Sequence, residues 1–146
     1  MKTANRGLLV CDAGVILAIA ASELLPESMN AYDLVTPPLA FSETRSTLHA
    51  LTWRRRLAKT RALEILDAIA KGPVKENSPP GLGAKAWEIA DQLGWAKTCD
   101  AEYVAMAGLL GCRLVTIDRR LRRGADRLGY VVTPTELRLS GPSRAN

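Results

Sequence analysis

The chain has 146 residues, 47% hydrophobic and 24% charged, with a formal net charge of +5. That length suits one domain with a real core, and the composition excludes disordered and fibrous classes. The positive balance favours an anionic partner, nucleic acid being the commonest, without requiring one. The single histidine, His49, and three cysteines without a CxxC pair fit no zinc pattern and no disulfide framework. Cys11, Cys99 and Cys112 are expected to be reduced, mostly buried thiols of a cytoplasmic protein.

In chain order, Leu8 to Gly14 reads LLVCDAG. So apolar a run predicts a strand covered on both faces, with Asp12 at its carboxyl end. The same stretch mimics a signal peptide, but Asp12 interrupts it, and no apolar run approaches the ~18 residues of a membrane span. Residues 13–20 predict a short helix, with Ser22 capping a further turn toward Leu25. A loop from Pro26 to Asp33 leads to a brief strand at Leu34 and Val35. Pro37-Pro38 suits a helix first turn, so a helix is expected from about Pro38 to Leu57, with Phe41, Leu48 and Leu51 inward. Residues 59–70 carry Leu63, Leu66 and Ile69 at helical spacing. Val74 marks a minor strand, and residues 84–93 a helix with Trp87, Ala90 and Leu93 inward. Asp100 opens a helix rich in small residues, which can lie close on a sheet. Cys112 to Ile117 is a second apolar strand, again followed by a carboxylate, Asp118, and a basic helix. Tyr130 to Val132 is a last strand, and Thr133-Pro134-Thr135-Glu136 a capped helix start. From Arg138 the tail is expected to be polar and loose. The alternation predicts an α/β fold: a mostly parallel sheet with helices on both faces.

Of the 15 acids, Asp12, Glu43, Asp100 and Asp118 stand apart, at strand ends and helix starts. Each aspartate is also a good helix cap, and Glu43 alone reads as a solvated helix residue. Together they would meet at one sheet edge. Carboxylate pairs at ~4 Å repel by roughly 4 kcal/mol at an effective dielectric near 20, so a fold keeps such a cluster when a cation sits in it. An all-oxygen site suits Mg²⁺ or Mn²⁺, and a hard cation beside basic surface is apparatus for phosphodiester hydrolysis. Thr116, two residues before Asp118 on a strand, points the same way and can orient it, or is simply a strand former. Arg45, Arg54, Arg119 and Arg120 are candidate RNA contacts, or solvated surface.

The segments LLVCDAG, SETRSTL, CDAEYVAMA, RLVTIDRRLRR and GYVVTPTEL, in this order, resemble the PIN-domain ribonucleases, in particular VapC-type toxins. The resemblance spans residues 7–137 and implies a three-layer PIN domain over 1–137, leaving 138–146 as a tail. It implies a Mg²⁺- or Mn²⁺-dependent endoribonuclease with Asp12, Glu43, Asp100 and Asp118 as its acidic quartet and Thr116 as the accessory hydroxyl. It also implies a homodimer, an RNA substrate and a VapB-like antitoxin, with operator DNA bound only through that antitoxin. A non-catalytic RNA- or protein-binding module on the same fold is the alternative. A phosphoacceptor domain is disfavoured, because Asp12-Ala13-Gly14 lacks the second aspartate of a DxD and no lysine follows the late strand.

Overall fold

A computed structural model of the chain describes residues 6–22 and 25–140. Five strands form one sheet: β1 (Gly7–Cys11), β2 (Tyr32–Thr36), β3 (Lys75–Glu76), β4 (Arg113–Val115) and β5 (Val131–Val132). Every pairing is parallel, and the spatial order is β3-β2-β1-β4-β5. Leu9, Val10 and Cys11 are wholly buried, as an apolar central strand requires. Parallel strands need crossover helices, and these crossovers are right-handed almost without exception. The chain winds one way from β1 through α1 (Ala13–Ser22), α2 (Leu39–Trp53) and α3 (Lys59–Lys71) to β3. It then winds the other way through α4 (Leu82–Leu93), α5 (Cys99–Leu110) and α6 (Arg119–Gly124) to β5. The two helix layers therefore cover opposite faces. α1, α2 and α3 pack on one another, while α5 packs on α4, β1 and β4. The direction reverses between β1 and β4, and open α/β sheets hold ligands at the carboxyl ends of such a pair.

α5 is buried through Ala101, Tyr103, Val104, Ala105, Met106 and Ala107, so its small residues do let it lie between the sheet and α4. The last helix, α7 (Pro134–Ser140), begins with a reciprocal capping box. The Glu136 N–H donates to Thr133 Oγ1 at 3.2 Å, and the Thr133 N–H donates to Glu136 Oε1 at 3.3 Å. α7 continues to Ser140, past Arg138 where a loose tail was expected; residues 141–146 lie outside the described part. None of the described helices is long and apolar enough to cross a membrane.

Several expected faces and ends are corrected. α3 buries Ala62, Ile65 and Ile69, while Leu63 is 54% exposed. The true stripe is set by the i, i+3, i+4, i+7 pattern from Ala62, and Leu63 lies one step, about 100°, off it. α4 buries Leu82, Ala86, Ile89 and Ala90 and leaves Trp87 67% exposed, because the small Ala86 permits a closer approach than an indole. Cys99 is exposed rather than buried. Ser22, expected to cap a further turn, is the last residue of α1, and its hydroxyl donates back to the Ala18 carbonyl at 2.8 Å. The rest of that expected turn, at residues 23–24, lies outside the described residues.

α2 starts where the prolines placed it, but it ends at Trp53, short of Leu57. Arg55 adopts the left-handed conformation, with φ 58°. The Arg55 N–H then donates to the Thr52 carbonyl at 3.0 Å and the Arg56 N–H to the Leu51 carbonyl at 2.9 Å. That is a Schellman stop, normally made with glycine. An L-residue there costs about 1–2 kcal/mol.

Candidate active site

The site is built at the reversal point. β1 pairs with β4 in the register Cys11–Val115, so the next residues, Asp12 and Thr116, are neighbours at the carboxyl edge. The Thr116 hydroxyl donates to Asp12 Oδ2 and accepts the Asp118 N–H at 3.0 Å. Thr116 is wholly buried and Asp12 nearly so. Asp12 Oδ1 accepts the Val15 N–H at 2.9 Å, which caps α1. Asp118 caps α6 in the same way, its Oδ1 accepting the Arg120 N–H at 2.8 Å and the Leu121 N–H at 3.2 Å. For these two residues the cap reading and the clustered-acid reading hold together, because capping occupies only one carboxylate oxygen.

Asp100 lies in the first turn of α5 and caps nothing with its side chain. One turn further, the buried Tyr103 hydroxyl donates to Glu43 Oε2 at 2.8 Å. Tyr103 thus ties α5 to α2. The sequence reading missed this role. Its signal was a lone hydroxyl three residues after Asp100, in a helix otherwise built of Ala, Val and Met on its buried side.

The charges sense one another. Burial pushes the Asp12 carboxyl up, hydrogen bonds from Thr116 and Val15 oppose that, and the charges of Asp118 and Asp100 add to it. Burial also raises Glu43, against the Tyr103 hydrogen bond and with the charges of Asp100, Asp12 and Glu102. Asp100 is raised by burial and by Asp118, with the Arg120 guanidinium opposing. Asp100, Asp118, Cys99, Lys97, Trp95 and Arg120 line a cleft of about 490 Å³. Asp12 and Glu43 do not line it.

The expected closed cage is not present. Among the described residues, no three His, Cys, Asp or Glu side chains stand close enough to hold a metal ion as they are placed. Two of the four acids also cap helices and one accepts a bond from a tyrosine. The candidate RNA contacts also divide. Arg120 lines the cleft, and Arg119 beside it is exposed. Arg45 and Arg54 line a different groove, on the outer face of α2 with His49 and Trp53. His49 is thus an exposed residue.

Comparison with known proteins agrees with this architecture. The PIN-domain family profile matches residues 9–127. The chain is 34% identical over 115 residues to ribonuclease VapC9 of Mycobacterium tuberculosis, covering 78% of this chain and 88% of that protein. The VapC ribonuclease Mb0985 of Mycobacterium bovis matches equally. The crystal structure of PAE2754 from Pyrobaculum aerophilum superposes with a TM-score of 0.71 over 92% of this chain and 94% of that one. At 23% identity, that likeness concerns the fold. On family profile and relatives together, the chain belongs to the PIN-domain family, with the VapC-type ribonucleases as its kin.

Proposed function

We propose that this chain is a metal-dependent endoribonuclease, the toxin of a VapBC-type toxin–antitoxin pair. The observation that carries the reading is the buried Asp12, hydrogen-bonded to Thr116 at the β1–β4 reversal and coupled by charge to Asp100 and Asp118. A fold that keeps mutually repelling carboxylates together, with Asp12 and Asp100 raised by burial, has a use for a cation there.

The donor set fits Mg²⁺ or Mn²⁺: four carboxylates and a hydroxyl, all oxygen. Mg²⁺ is commonly held by one or two carboxylates with its remaining positions filled by water, so a three-ligand cage is not required. Asp12, Asp100 and Asp118 would hold the ion, directly or through water, and Glu43 would hold it or orient the attacking water. Bound there, the ion supplies a lowered water pKa and charge to offset that developing on the phosphate. The remaining work falls to the chain itself. Thr116 keeps Asp12 and the Asp118 backbone in register. Tyr103 fixes Glu43. Arg120 and Lys97 at the cleft, with Arg119 beside it, attract the RNA backbone. Arg45 and Arg54 add positive charge on α2. The reading carries with it a homodimer, a VapB-like antitoxin that brings any operator DNA contact, and a cytoplasmic location.

The test is sequencing of RNA ends after induced expression of the intact chain and of Asp12→Asn, with purified protein assayed with and without chelator. New RNA ends confined to the intact chain, and cleavage lost in chelator, are expected. Undiminished cleavage in excess chelator would sink the metal. A second reading draws on the open spacing of the acids. A non-catalytic RNA- or protein-binding PIN module would bind RNA regardless of Mg²⁺ and of all four carboxylates.

A further inference from the structure

α2 carries a second feature that the cleft does not use. Trp53, at its last turn, is 82% exposed. It shares a groove of about 630 Å³ with Arg45, His49 and Arg54, and no acidic residue lines that groove. Arg55 and Arg56 follow directly and are exposed. Among the described residues, none of these four arginines takes part in a salt bridge. A large indole left in water beside unpaired guanidinium groups is a poor arrangement for a lone surface and a good one for a strand of nucleic acid.

A cation near a helix C-terminus is favourable through the helix dipole, which accounts for arginine at this end in general. It does not account for Arg55. That position has φ 58°, where glycine would cost nothing, and Arg54 and Arg56 already supply charge beside it. Arginine occupies this strained position with its side chain exposed.

We propose that the C-terminal end of α2 is a docking surface for unpaired RNA, with Trp53 stacking on a base and Arg54, Arg55 and Arg56 contacting phosphates. The inference rests on RNA being the substrate and names the form it takes: single-stranded beyond the cut, because a base within a duplex cannot present its face to Trp53. Arg54 follows Glu43 by three helical turns, roughly 16 Å along α2, so one strand can reach both. Charge complementarity favours RNA over a protein partner, since the lining is basic and uninterrupted by acids.

The experiment uses Asp12→Asn as the parent, so that RNA is bound and not cut. Its affinity for a short fluorescein-labelled single-stranded RNA of mixed sequence is followed by anisotropy across a salt series in chelator. Trp53→Ala should weaken binding roughly 5- to 100-fold, the usual range for losing one stacked base, with the salt dependence little changed. Arg55→Gly should weaken binding and reduce the log–log salt slope by about 0.7, one phosphate contact to a single strand. The same variant should melt no lower than its parent, since glycine suits that backbone. Trp87→Ala, which removes another exposed indole on α4, should bind like the parent. A duplex RNA of equal length should be insensitive to Trp53→Ala. Unchanged affinity in both Trp53→Ala and Arg55→Gly overturns the proposal, as does an equal loss in Trp87→Ala. Patch variants that lose a co-purifying protein while keeping RNA affinity overturn it in favour of a protein-docking face. The two readings fail separately. A parent that binds RNA through Trp53 while the intact chain never cuts RNA removes the nuclease and leaves the surface.

Discussion

Thr116 holds the site together at the level of single atoms. Its hydroxyl donates to Asp12 and accepts from the Asp118 backbone, so its removal disturbs two acids at once. Thr116→Val keeps the shape and β propensity but leaves the Asp118 N–H without that partner. We expect a stability loss of about 1–3 kcal/mol by thermal melting and a fall in cleavage rate of roughly tenfold or more. Thr116→Ser should recover most of both; a serine variant as impaired as valine would count against the hydroxyl. Asp100 behaves in the opposite way. Its carboxyl is raised by burial and by Asp118, so in metal-free protein its charge opposes folding. Asp100→Asn should therefore raise the melting temperature near neutral pH while lowering cleavage by roughly 100-fold or more. A variant both less stable and inactive would mean that Asp100 is structural.

Between elements, the corresponding contact is Tyr103. Its hydroxyl joins α5 to Glu43 on α2. Tyr103→Phe keeps the ring in the core and removes that bond. The expected result is a rate loss of about 10- to 100-fold in kcat with KM little changed. In a Glu43→Gln background the same substitution should slow cleavage no further, since a positioning residue acts only through its partner. α6, with six residues, is too short to hold itself. Asp118 caps its start, and Arg122 grips Glu136 of α7 through Nε and Nη2, both at 2.8 Å. The Asp12 and Asp118 placements were legible in the sequence because an apolar run ending in a carboxylate is a one-dimensional signal. So was the Thr133–Glu136 box. The inward faces of α3 and α4 were not, because Ala62 and Ala86 set the approach and are weaker signals than Leu63 and Trp87. The end of α2 was not, because a left-handed arginine leaves no mark where a glycine would. Nor was the spacing of the acids, which depends on side-chain bonds such as Tyr103 to Glu43 across 60 residues.

For the molecule as a whole, two sets of carboxylates pull stability in opposite directions. Asp12, Glu43 and Asp100 are raised above their ordinary values of 3.8, 4.5 and 3.8. From those values up through the raised ones, the folded chain binds more protons than the unfolded chain, so stability falls as pH rises. Glu136, beside Arg122, is lowered from 4.5 to about 2. Between those limits the unfolded chain binds more protons, so stability falls as pH drops. The metal-free protein should therefore be most stable on the acid side of neutrality. A cation at the site offsets only the first effect, because it competes with protons for the same carboxylates. Mn²⁺ at about 100 times its Kd should add about 2.7 kcal/mol near neutral pH, a rise in Tm of roughly 5–10 °C for a chain of this size. The rise should shrink as the acids protonate and be absent in Asp12→Asn. Melting curves across pH, with Mn²⁺ and with chelator, separate this from nonspecific ion effects. A Tm increment equal at acid and neutral pH, or retained in Asp12→Asn, would place the ion elsewhere. A pH-dependent increment lost with Asp12 alone would tie the charge cluster, the fold's stability and the ion to one sheet edge.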